Sequence, residues 1–182
     1  MNVRTAFITA PLLTLAYGVI RILDGLDGSR GPGIAWTVGH LAFIAALALF
    51  VSTFWQMRDL AARSRTATAL AAIGTAGIAV LVIQFGIDLV VGFISTDRAE
   101  MATHFERIQS VPGVSLAIYD GGPFLFYLAQ LAIVVLLAVT RRVKVWTPVL
   151  VALDLALPFV DKDLIPVGAV FLLVSFIPLY RT

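Results

Sequence analysis

The stretch ATALAAIGTAGIAVLVIQFGIDLVVGFIS, residues 67–95, is apolar almost throughout yet carries Gln84 and Asp88 inside it. At about 1.5 Å per residue it is longer than the roughly 30 Å of hydrocarbon in a bilayer requires, so it reads as a membrane-spanning helix. Gly77, Gln84, Asp88 and Gly92 recur at helical spacing and share one stripe, while Val, Ile, Leu and Phe fill the other faces. A carboxylate turned towards lipid costs several kcal/mol or takes up a proton, so that stripe must face protein or water. The expectation is a site near Asp88, with its partners elsewhere in the chain.

The rest of the chain has the same character. Of its 182 residues 60% are hydrophobic and only 13% charged, and the mean hydropathy of +0.98 lies far from that of soluble globular domains. Apolar runs of spanning length fill nearly all of it. This predicts an all-α fold: a polytopic membrane helix bundle, residues 1–182 forming a single integral membrane domain. Cysteine is absent, so there is neither a disulfide framework nor a thiolate metal site.

Outward from residues 67–95, six spans are expected, at about 5–23, 34–57, 67–95, 124–140, 145–160 and 164–180. The first follows Arg4 but lacks a small-residue cleavage site and is followed by further spans, so it reads as a mature helix rather than a leader. The fifth is short, about 24 Å at the usual helical rise, and contains Asp154 and Pro158. Between the third and fourth spans, residues 97–109 place Met101, Phe105 and Ile108 on one stripe among charged positions. Asp97 with Glu100 behind it has the pattern of an acidic cap, which predicts a short amphipathic helix on the membrane surface.

With six spans, Arg4, the basic connectors Arg58 to Arg65 and Arg141 to Lys144, and Arg181 fall on one side. Asp24, Asp27, Asp97, Glu100, Glu106, Asp120, Asp161 and Asp163 fall on the other. The positive-inside rule makes the basic side cytoplasmic and puts both termini inside, in a multi-pass protein of the cell membrane.

This topology allows depth to be compared between helices. Tyr17 and Arg21, Trp36 and His40, Asp88, and Asp154 all fall in the outer half, where they are expected to line an outward-opening polar pocket. The inner half holds Ser52, Thr53, Gln56 and Gln130, none of which ionises. Burial raises a carboxylate's pKa and a neighbouring arginine lowers it again. Asp88, Asp154, His40 and Arg21 therefore form a candidate catalytic set able to hold one proton poised for transfer. Tyr17, Trp36, Gln84 and Asp161 are candidate substrate contacts. One acid kept protonated in an apolar pocket suits protonation-started chemistry on an alkene or epoxide, which points to an isomerase or cyclase of a lipophilic, isoprenoid-like molecule. Aromatic faces at Tyr17, Trp36 and Phe43 suit a developing carbocation.

Plainer readings stand beside this one. Intramembrane acids also serve as helix-pairing bonds, Arg21 as a snorkelling interfacial residue, and His40 as a packed core histidine. In helix count and size the chain resembles the membrane substrate-binding subunits of vitamin importers, which implies transport or capture of a small solute or protons. A non-catalytic accessory role is the third alternative. The partners expected are the lipid bilayer and a lipophilic small molecule or small solute, with self-association open. No phosphate loop or dinucleotide fingerprint occurs, so no cofactor is expected. His104 with Glu100 does not make the H-E-x-x-H zinc pattern, so no metal is expected either, and no basic stripe with interleaved aromatics points to nucleic acid.

Overall fold

The computed structural model describes residues 3–26, 28 and 30–181; Asp27, counted above among the acidic positions, and Thr182 lie outside them. The fold is all-helical, 85% helix with no strand among the described residues. After a 3-10 turn at Val3–Thr5 come α1 (Ala6–Asp24), α2 (Ile34–Leu60), α3 (Arg65–Ile94) and α4 (Arg98–Gln109). A π-helical turn at Ser115–Asp120 leads into α5 (Gly122–Val139), which is followed by α6 (Trp146–Val160), a 3-10 turn at Lys162–Leu164, and α7 (Ile165–Arg181).

Five helical stretches are long and apolar enough to cross a membrane: α1, α2, α3, Ser115–Val139 and Lys162–Arg181. The expected fifth span is α6, which at 15 residues rises only about 22 Å and falls short of a full crossing by length alone.

Local chemistry explains where these helices start and stop. Ser64 caps α3 by accepting from the Ala67 amide at 3.2 Å. Asp97 caps α4 by accepting from the Glu100 amide at 2.9 Å. Glu100 reaches back to the Thr96 amide and hydroxyl at 2.7 and 2.9 Å, a reciprocal box that fixes the turn after α3. Those hydrogen bonds hold the Glu100 carboxyl below the usual carboxylate range. In the π turn the Gly121 amide donates to Leu116 O at 2.7 Å, and Pro123 then sits in the first turn of α5, where its missing N–H costs nothing.

The helices form a ring in the order α1, α2, α3, α5, α6, α7, with α7 closing on α1 and α2 also touching α5 across the middle. Phe7, Leu47, Phe50, Phe54, Met57, Ile133, Leu137, Phe176 and Leu179 fill the interior. Edge-to-face pairs at 5.5 Å between Phe7 and Phe176 and 5.3 Å between Phe50 and Phe126 join helices distant in sequence. In lipid such contacts stabilise by dispersion and close fit, since hydrocarbon outside is as apolar as the core. Close fit is most evident at Gly77, where the backbone of α5 at Phe126 occupies the space a Cβ would take. The outer faces expose Phe93, Val139, Leu116 and Val160 at 70% or more, a belt that suits hydrocarbon as solvent.

Candidate functional site

The loops joining α1 to α2, α3 to α5 and α6 to α7 gather at one end of the ring, and the polar cluster lies just inside that end. Tyr17 and Arg21 stand one turn apart on α1, and Trp36 and His40 one turn apart on α2; Phe85 and Asp88 come from α3. His40, only 5% exposed, stacks on Trp36 with ring centroids 4.1 Å apart and meets Phe85 at 5.1 Å and Tyr17 at 6.0 Å. Phe43 packs on Phe85 at 4.5 Å and on Tyr17 at 5.0 Å, closing the aromatic wall below. The Trp36 indole N–H donates to Asp88 O at 3.0 Å. Only a glycine at 92 admits that ring, because a Cβ there would stand 2.7 Å from the indole. From outside, Phe105 of α4 approaches Trp36 with centroids 6.4 Å apart, above the buried Met101.

The orientation of the His40 ring follows from its hydrogen bond. His40 Nδ1 lies 2.7 Å from Trp36 O, and a carbonyl can only accept, so Nδ1 carries a hydrogen and donates. That leaves Nε2 facing Asp88 Oδ2 at 3.7 Å. A hydrogen-bond acceptor on the ring thus faces a carboxylate oxygen, with no protein donor between them among the described residues.

Above the pair, Arg30 Nη2 donates to both oxygens of Asp163 at 2.7 Å, and Arg30 Nε donates to Arg21 O at 3.3 Å. Arg21 Nε stands 3.6 Å from Asp163 Oδ1. Two guanidinium groups thus share one carboxylate and pin the first loop to the last. Asp161 accepts from the Asp163 amide at 2.8 Å and so orients that carboxylate; it is a support of the clasp, not a wall of the space beneath. Tyr17, Arg21, Asp24, Arg30, Trp36 and His40 surround a recess of about 20 Å3, room for about one water molecule.

The expected outward-opening pocket is therefore reduced to this recess, because aromatic rings and the arginine clasp occupy the volume that a ligand would need. A larger groove of about 490 Å3 runs on the outside of α2 and α3, along Ile34, Val38, Gly92 and Phe93 with Thr37 and Thr96 at its rim. Trp36 is in contact with Gly92 on the groove side and with His40 within.

The remaining sequence candidates divide. Tyr17, Arg21, Trp36, His40 and Asp88 come together as described. Asp154 does not join them: its Oδ1 lies against Gly168 of α7, and it has no hydrogen bond or ion pair with any described residue. Gln84 is half-buried, with its Oε1 enclosed and lacking a hydrogen-bond partner. Arg30 and Asp163 are not among the sequence candidates for the site; the signal for Asp163 is its place in the charged tip after the short α6, and for Arg30 only its charge in a turn. No three His, Cys, Asp or Glu side chains converge as metal ligands among the described residues. Compared with protein-family models, curated proteins and solved structures, the chain matches none.

Proposed function

We propose that the chain is an integral membrane protein with six spans, α6 being the shortest, and with α4 lying on the surface beside the clasp. Both termini and the arginine-rich connectors are cytoplasmic, and the clasp faces outward. Within this frame the His40–Asp88 pair is an acid-base centre acting on a lipophilic small molecule, as an isomerase or cyclase does. The observation that carries the reading is His40 Nδ1 fixed on Trp36 O at 2.7 Å, which turns Nε2 towards Asp88 and provides a site for one proton.

In this reading the α2–α3 groove takes the apolar body of the substrate from the bilayer, and Trp36 moves aside to admit its reactive end. His40 or Asp88 then donates a proton to a substrate carbon, and Tyr17, Trp36 and Phe85 stabilise the resulting cation through their ring faces. The same pair takes back a proton from the carbon beside it, forming the new double bond and resetting the site. Arg21, held by Asp163, sets the local field rather than touching substrate.

The test uses liposome-reconstituted protein incubated with isoprenoid lipids, with products followed by mass spectrometry. Turnover is expected, and loss of it in Asp88→Asn with unchanged helicity supports the assignment. Normal turnover in that variant rejects it. The recess of about 20 Å3 favours a second reading, a non-catalytic accessory protein whose pair only fixes helix register. That reading predicts no conversion and a lowered Tm in Asp88→Asn.

A further inference from the structure

We propose that Asp154 is a second, separate proton-binding site, set at the contact between α6 and α7 and independent of the His40–Asp88 pair. It rests on the membrane placement proposed above, not on the acid-base reading. Thr147, Val151, Leu155 and Pro158 mark the face of α6 turned to its neighbours: Thr147 and Val151 are fully buried, and Leu155 packs on the core. Asp154 stands on the edge of that face, one residue from Leu155, and its side chain lies inward against α7.

There Gly168 leaves the space. A Cβ on Gly168 would come 2.7 Å from Asp154 Oδ1 and 3.1 Å from Asp154 O, so the side-chain and main-chain oxygens of one residue both border the same gap.

The carboxylate has no protein donor among the described residues. Asp154 makes no hydrogen bond or ion pair with the described residues. Its main-chain carbonyl is the one that the amide four residues on would normally satisfy, and that residue is Pro158, which has no N–H. A single proline thus denies Asp154 O its usual helical donor beside an unpartnered carboxylate.

Among the described residues no cation pairs with the carboxylate. α7 carries no titratable side chain before Tyr180, and α5 brings only Tyr127, whose hydroxyl is within electrostatic reach of Asp154. On the following turn Lys162 is exposed and Asp163 is already held by Arg30. An ionised carboxylate in such surroundings is costly, and taking up a proton removes the cost. A metal cation is the poorer occupant, since hard cations take about six oxygen ligands and the two oxygens nearest Gly168 belong to a single residue.

The experiment is labelling of the full chain in liposomes with N,N′-dicyclohexylcarbodiimide, an apolar reagent for protonated carboxyl groups, with adducts mapped by mass spectrometry between pH 5 and 9. The adduct on the Asp154 peptide is expected to form at low pH and to fall about tenfold per pH unit above its midpoint. It should be absent in Asp154→Asn and unchanged in Asp88→Asn. Overturning results are the absence of an Asp154 adduct at every pH while detergent-unfolded chain is labelled, labelling that ignores pH, or protection by sodium ions at fixed pH, which would assign the gap to a metal cation. Loss of lipid turnover in Asp88→Asn with the Asp154 adduct intact separates this proposal from the preceding one.

Discussion

Two glycines on α3 offer a paired test of how the bundle is held together. A Cβ at Gly77 falls on the Phe126 backbone nitrogen and comes within 2.8 Å of the Leu125 carbonyl carbon and the Phe126 Cα. All three are backbone atoms, so no side chain can rotate away, and α3 and α5 must part. At Gly86 on the same helix nothing lies within 4 Å of the same added atom. Both Gly→Ala changes gain the same helix preference, about 0.5–1 kcal/mol, so it cancels between them. The difference that remains is the overpacking cost, about 1–3 kcal/mol, with Gly77→Ala the less stable. For a chain of this length that corresponds to a Tm gap on the order of 5 °C. Thermal unfolding followed by circular dichroism in dodecyl maltoside measures it. Equal Tm values, or Gly86→Ala the less stable, would refute the close α3–α5 approach at Gly77.

Two further predictions concern the loops. A double-mutant cycle of Arg30→Gln with Asp163→Asn should show favourable coupling of no more than about 1 kcal/mol, given side chains 32% and 41% exposed, and that coupling should shrink in salt; zero coupling would mean that the clasp contributes nothing. At Glu100 the folded carboxyl titrates below its unfolded value, so its support for the start of α4 is complete above the ordinary carboxylate range and is lost as pH falls through the depressed value. Protection of the Thr96 amide from hydrogen exchange, measured relative to the intrinsic rate at each pH, should fall as Glu100 takes up its proton in acid, and Glu100→Ala should show the low protection already at neutral pH. An acid-insensitive amide would contradict the hydrogen bond to Glu100.

What could be read beforehand follows from how local each signal was. The stripe of Gly77, Gln84, Asp88 and Gly92 was legible because lipid forbids an unshielded carboxylate, and its two glycines indeed receive Phe126 backbone and the Trp36 ring. The α4 start was legible because its cap spans a single turn of chain. Depth along the helices was also readable, which is how Tyr17, Arg21, Trp36, His40 and Asp88 were grouped. Direction around the helix axis was not: Asp154 sits on a face of α6 turned to α7, so sharing the expected level did not bring it to the others. Nor was the Arg30–Asp163 bond visible, since its partners are 133 positions apart in turns whose glycines and prolines carry no periodic signal.

The ring described above closes between α1 and α7, and its clasp joins the first loop to the last hairpin. On the ribosome, then, the flank of α1 that α7 covers stays unmatched until α7 has been made. Shortening the chain before Asp161 would leave α1 without that neighbour, and Arg21 and Arg30 without the Asp163 carboxylate they share.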